Sequence, residues 1–108
     1  MKLSLPAPVS AYFLASNRHD IDSMLVPFST DAVVQDEGEE HVGHTEIREW
    51  MVKTTRKYLV TVEPQETEEL VGRTTVVGLV SGNFPGSPAR LRFSFALSPA
   101  GIYRLEIG

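Results

Sequence analysis

The hydrophobic pattern of this chain predicts an α+β domain, with helices in the first half and a mostly antiparallel sheet in the second. Two observations carry that reading. Apolar residues recur every three to four positions as far as Tyr58 and every second position afterwards. Tight Gly/Pro turns then divide the second half into strand-length pieces, and consecutive strands joined by such turns run antiparallel.

Each element follows from its own residues. Pro6 and Pro8 suit the first turn of a helix, where a missing N–H leaves no bond unmade. Val9, Tyr12, Phe13 and Ser16 follow at i, i+3, i+4 and i+7, one buried face. Asn17 to Asp20 break the helix. Ile21, Met24, Leu25 and Phe28 repeat the spacing as a short second helix, interrupted at Pro27. Ala32 to Gln35 reads as a short strand, and Gly43 closes the acidic loop after it. Thr45 is placed to cap a third helix, whose buried face is Ile47, Trp50, Met51, Thr54 and Tyr58. Period two then predicts strands over 60–71, with a bulge at Pro64, and over 74–84 and 89–97, with a last one through Ile107. On the clearest strand Leu91, Phe93, Phe95 and Leu97 share one face, and Arg90, Arg92 and Ser94 the other. The predicted order is α, α, β, α and a four-strand meander. Helices on one face of a twisted sheet leave a closed end and an open mouth, a natural place for a pocket.

Composition narrows the function classes. The 108 residues fit one domain, 1–108. There is no cysteine, which excludes disulfides, thiolate–metal sites and a cysteine nucleophile, and suits a reducing, cytoplasmic setting. The net charge is −4 and the ten Lys and Arg residues are scattered, so no nucleic-acid partner is expected. No apolar stretch approaches the roughly 20 residues of a membrane span, and the Met1–Pro6 start lacks the apolar core of a signal peptide.

Four segments carry a family resemblance. Tyr12 to Asp22 (YFLASNRHDID) resembles the first helix and Asn-x-x-Asp-x-Asp turn of the nuclear-transport-factor-2-like superfamily. Phe28 to Asp36 (FSTDAVVQD) resembles its Phe-Ala-x-Asp-Ala-x-Val-x-Asp signature. Gly43 to Trp50 (GHTEIREW) resembles the Gly-x-x-x-Ile-Arg-x-aromatic opening of its third helix, and Ser81 to Pro88 (SGNFPGSP) resembles a hairpin of short SnoaL-like members. The resemblance spans nearly the whole chain. It implies a cone: a curved, mixed but mostly antiparallel sheet packed on three N-terminal helices, in a cystatin-like architecture. It also implies a homodimer built on the exposed sheet face, which a clean monomer mass by light scattering would exclude.

The same resemblance, to ketosteroid isomerases and SnoaL-like cyclases, nominates a site. Asp36 matches the isomerases' general base, a carboxylate that works when shielded from water. Tyr12 matches their oxyanion-hole tyrosine. Phe93 stands where they carry a protonated aspartate, and phenylalanine cannot donate a hydrogen bond, so a two-donor oxyanion hole is missing. Trp50, Met51, Tyr58, Phe84, Phe93 and Phe95 are the expected apolar lining. His41 and His44 follow Asp36, but their spacing across Gly43 matches no ligand motif, so no metal is expected. No cofactor is expected either. Ser81 has no base at triad spacing. Glu63, Glu66, Glu68 and Glu69 read as a solvated strand face that blunts edge pairing. Two functions remain open. One is a cofactor-free isomerase, cyclase or hydratase acting on an apolar carbonyl compound. The other is a non-catalytic module binding an apolar small molecule or a partner protein.

Overall fold

In a computed structural model that describes residues 4–108, Pro6 and Pro8 open α1 (Ala7–Asn17), as their fixed φ favours. The start of the chain, Met1 to Leu3, lies outside the described residues. Then come α2 (Ile21–Leu25), β1 (Phe28–Asp36), β2 (Glu39–Val42), α3 (Gly43–Tyr58), β3 (Thr61–Leu70), β4 (Arg73–Ser81), β5 (Ala89–Ser98) and β6 (Gly101–Ile107). The strands form one curved sheet in the order β2-β1-β6-β5-β4-β3. Every neighbouring pair is antiparallel except β1 and β6, which run parallel. Helix α3 packs on β1 and β2, and α1 on β3 and β6, which completes the expected α+β cone. Among the described residues no helix is long and apolar enough to cross a membrane.

Four details differ from the sequence reading. Phe28 opens β1 instead of closing the second helix, because it pairs with Ile102 of β6 and is buried there. The acidic segment after Asp36 contains a sixth strand, β2. Glu37 and Gly38 both adopt left-handed backbone (φ 53° and 77°), the geometry of a two-residue hairpin, and Asp36 pairs with Glu39 across it. Glu39 and Glu40 are exposed on this edge strand, so no apolar alternation marks it. Thr45 does not cap α3. Glu46 instead reaches back to accept from the Val42 N–H at 2.8 Å. Finally, β4 stops at Ser81, and residues 82–88 form a loop.

That loop is pinned to the end of α3. The Asn83 N–H donates to the Tyr58 carbonyl at 2.7 Å, and a Cβ on Gly82 would stand 2.6 Å from the same oxygen, so only glycine fits there. At the opposite end of the sheet Gly101 has φ 115°, and a Cβ would meet the Pro27 carbonyl oxygen at 2.4 Å. This close approach lets the Ile102 N–H bond to Pro27 and seats β6 beside β1. The register shift expected at Pro64 is present between Pro64 and Glu66, and β3 with its glutamates is an edge strand.

The core is aromatic at its centre. Phe95 is fully buried, with ring centroids 5.7 Å from Tyr12, 5.6 Å from Phe13 and 6.5 Å from Phe93. The first two contacts are edge-on, the arrangement favoured by the charge distribution of aromatic rings.

Candidate active site

Alternation along β1 sends Ala32 and Val34 into the core, both fully buried, and Asp36 follows two residues later on the same face. Beyond Val34 the helices no longer close over the sheet. The Asp36 carboxylate enters a cavity of about 530 Å³ at the open end of the cone. Its wall is assembled from the end of β1 with its Glu37–Gly38 turn, the C-terminal half of α3, one face of α1, Met24 of α2, the starts of β3 and β5, the ends of β4 and β6, and the 82–88 loop.

Trp50 of α3 holds the carboxylate, its Nε1–H donating to Asp36 Oδ2 at 3.1 Å. Burial pushes the Asp36 carboxyl above its ordinary range. The Trp50 bond opposes that rise, and the neighbouring Glu37 charge adds to it. The net direction is upward, toward the range where a carboxylate is a useful proton acceptor. His41 of β2 packs beside the Trp50 ring, with centroids 6.0 Å apart, and its positive form favours the ionised carboxylate.

Tyr12 reaches the same cavity from α1. It is only 4% exposed, and its hydroxyl makes no hydrogen bond among the described residues. Burial, with the Asp36 charge as a second cause, drives its phenol far above the usual range, so it stays protonated and available as a donor. Base and donor therefore face one largely apolar space.

Trp50, Tyr58, Phe84 and Phe93 line this cavity. Met51 and Phe95 do not: both are fully buried in the core. They share the helix and strand faces of the lining residues but lie deeper, a distinction that periodicity does not encode. Phe93 adds an apolar ring to the cavity wall. The His44 Nε2–H donates to the Phe28 carbonyl and the His19 Nε2–H to the Val60 carbonyl, each at 2.9 Å, so both hold backbone in place. No cluster of three or more His, Asp or Glu residues suited to a metal forms among the described residues. Ser81 pairs with Thr61 at the end of β4 and takes no part in the cavity wall. Sequence reasoning missed Ser16 as a lining residue, along with the Glu37–Gly38 lip. The Asp-Glu-Gly-Glu hairpin signal could have revealed the lip.

One outcome follows from the Trp50 bond. Trp50→Phe removes the donor that favours ionised Asp36, so the Asp36 carboxyl moves further upward. Carbon-13 NMR titration of that carboxyl, compared with wild type, reads the shift; an unchanged titration means that the bond does not govern the carboxylate.

A protein from Sinorhizobium meliloti named as a putative polyketide cyclase shares this structure with a TM-score of 0.93. It is 39% identical over 96% of this chain and 95% of its own. The chain belongs to the SnoaL-like, ketosteroid-isomerase-like group of the nuclear-transport-factor-2-like superfamily. Two more distant structures share the fold of this SnoaL-like protein. A Catenulispora acidiphila protein with a ketosteroid isomerase-like fold has a TM-score of 0.85 and 17% identity, over 97% of this chain and 86% of its own. A nuclear-transport-factor-2-like protein of unknown function from Cytophaga hutchinsonii has a TM-score of 0.81 and 13% identity, over 100% and 93%. No protein-family model matches the sequence, and a search of curated proteins finds no match.

Proposed function

We propose that this SnoaL-like protein is a cofactor-free acid–base enzyme of the cyclase, isomerase or hydratase type, acting on an apolar carbonyl compound. The observation that carries the reading is the convergence of Asp36 and Tyr12 on one apolar cavity: a carboxylate with a raised pKa and a phenol with no protein partner. The cyclase name of the Sinorhizobium meliloti relative agrees with it.

The chemistry uses few groups. Asp36 takes a proton from the carbon next to the substrate carbonyl. The electron pair left behind moves onto the carbonyl oxygen, where the Tyr12 O–H bonds to the enolate as it forms. In an isomerase Asp36 returns the proton to another carbon of the same system. In a cyclase the enolate carbon attacks a second carbonyl of the same molecule, and the new alkoxide collects the proton. Trp50 orients the carboxylate toward the substrate through its bond to Oδ2. With Phe93 in place of a second donor, only Tyr12 stabilises the enolate, so substrates with acidified α-protons suit this site better than simple ketones.

Solvent deuterium uptake at the α-carbon of 2-tetralone, an apolar ketone of that kind, tests the reading by proton NMR. Wild-type protein should accelerate uptake over buffer, and Tyr12→Phe should lower the acceleration by about 10²–10³-fold, the loss typical of one oxyanion donor. Uptake at the buffer rate with wild-type protein selects the non-catalytic binding module instead.

A further inference from the structure

Ser16 occupies a position in α1 where alanine would serve the fold better. The residue is 6% exposed, in the cavity wall, one turn beyond Tyr12 on the same helix face. That separation is about 6 Å along the axis. Its hydroxyl has no hydrogen-bond partner among the described residues. It does not even make the return bond to its own helix that Thr54 makes to the Trp50 carbonyl at 2.9 Å. Among the described residues the buried side-chain oxygen without a partner is Thr67 Oγ1 and not Ser16 Oγ, so the Ser16 hydroxyl opens on the cavity. The helix itself would be better served by alanine, a stronger helix former than serine.

The segment around Ser16 is held firmly. The Asn17 side chain clamps β3 from the next position: its Nδ2–H donates to the Val62 carbonyl at 2.8 Å, and its Oδ1 accepts from the Val62 N–H at 2.7 Å. His19 adds its bond to Val60. The hydroxyl is therefore presented to the cavity from a fixed backbone, beside apolar wall residues such as Met24, Val62 and Val80. A preorganised polar group in an otherwise apolar stretch of wall is a device for orienting a ligand.

We propose that Ser16 is the second polar contact of the ligand, which is an apolar molecule with two oxygens: one for Tyr12 and Asp36, and a hydroxyl or carbonyl for Ser16. The inference rests on the cavity being the ligand site, and not on catalysis there. Ser16 then sets specificity, because a ligand lacking the second oxygen leaves this hydroxyl buried and unpaired.

Equilibrium binding by calorimetry tests it with defined probes. 1-Naphthol and 2-naphthol carry one hydroxyl, able to donate to Asp36 and accept from Tyr12. The 1,5-, 2,6- and 2,7-dihydroxynaphthalenes add a second at different separations. At least one diol should bind wild-type protein about tenfold more tightly than its parent naphthol, the worth of one well-made hydrogen bond. Ser16→Ala should erase that advantage, leave naphthol binding within about twofold, and raise the melting temperature. The inference is overturned if no diol has an advantage, if the advantage survives Ser16→Ala, or if the substitution weakens naphthols and diols alike. Binding by none of the compounds would overturn it together with the ligand-site reading. Normal naphthol binding without deuterium uptake would remove only the catalytic reading.

Discussion

Asp36→Asn should abolish proton transfer while leaving the cone intact. An asparagine keeps the shape of the side chain and can still accept from Trp50, but it takes no proton from carbon. The expected loss is about 10²–10⁴-fold in rate, the usual worth of a positioned general base. The pH dependence gives a second signature. Because burial raises the Asp36 carboxyl above its ordinary 3.8, wild-type activity should climb with pH through that raised value as the base ionises. Stability moves the other way. The folded state holds this proton more tightly than the unfolded chain, so stability falls as pH rises from the unfolded value through the raised folded one. The asparagine variant lacks that fall. It should match wild type below the ordinary aspartate range and melt at or above the wild-type temperature at neutral pH. Rate measurements across pH, paired with thermal melts at both ends, check the two signatures together. An unaltered rate in a folded variant excludes Asp36 as the base.

Phe95→Ala carries the largest expected cost to the fold. The ring is fully buried between Tyr12, Phe13 and Phe93, and its removal leaves a hole where three aromatic side chains meet. Phenylalanine-to-alanine changes in such places cost about 3–5 kcal/mol, against a total stability for small domains of about 5–15 kcal/mol. Urea unfolding should show the midpoint falling sharply, and the vacated space lies directly behind Tyr12. Ketone deuterium uptake should therefore fall in the part of the protein that remains folded, because the phenol loses one of the three rings that pack against it. A midpoint close to wild type would mean that the neighbouring rings collapse into the space.

Phe95 also illustrates where sequence stopped being informative. The alternation Leu91, Phe93, Phe95, Leu97 reads directly as one strand face turned to the core, and Phe93 and Phe95 are buried there. Leu91 and Leu97 are half-buried, and a register shift after Ala96 buries that residue too. Parity does not say which of these rings stands in the closed end of the cone and which in the open end. Phe93 meets the cavity and Phe95 does not, because helix α1 and the surrounding rings seal the sheet at one level and leave it open at the next.

The helices, the meander and the α+β class were determined by local pattern, since period and turn chemistry act over a few residues. Asp36 and Tyr12 were legible through family resemblance, and Asp36 also through its place after an apolar strand. Strand β2 was hidden, because an exposed acidic edge has no buried face to leave a periodic trace. The parallel β1–β6 pairing also lay beyond the local pattern, as it joins Val34 to Leu105 across most of the chain. The Trp50–Asp36 bond and the unpaired hydroxyl of Ser16 belong to the tertiary structure alone. A hydrogen bond made or withheld depends on distances among α1, α3, β1 and β3, and those distances exist only once the sheet has curved around its helices.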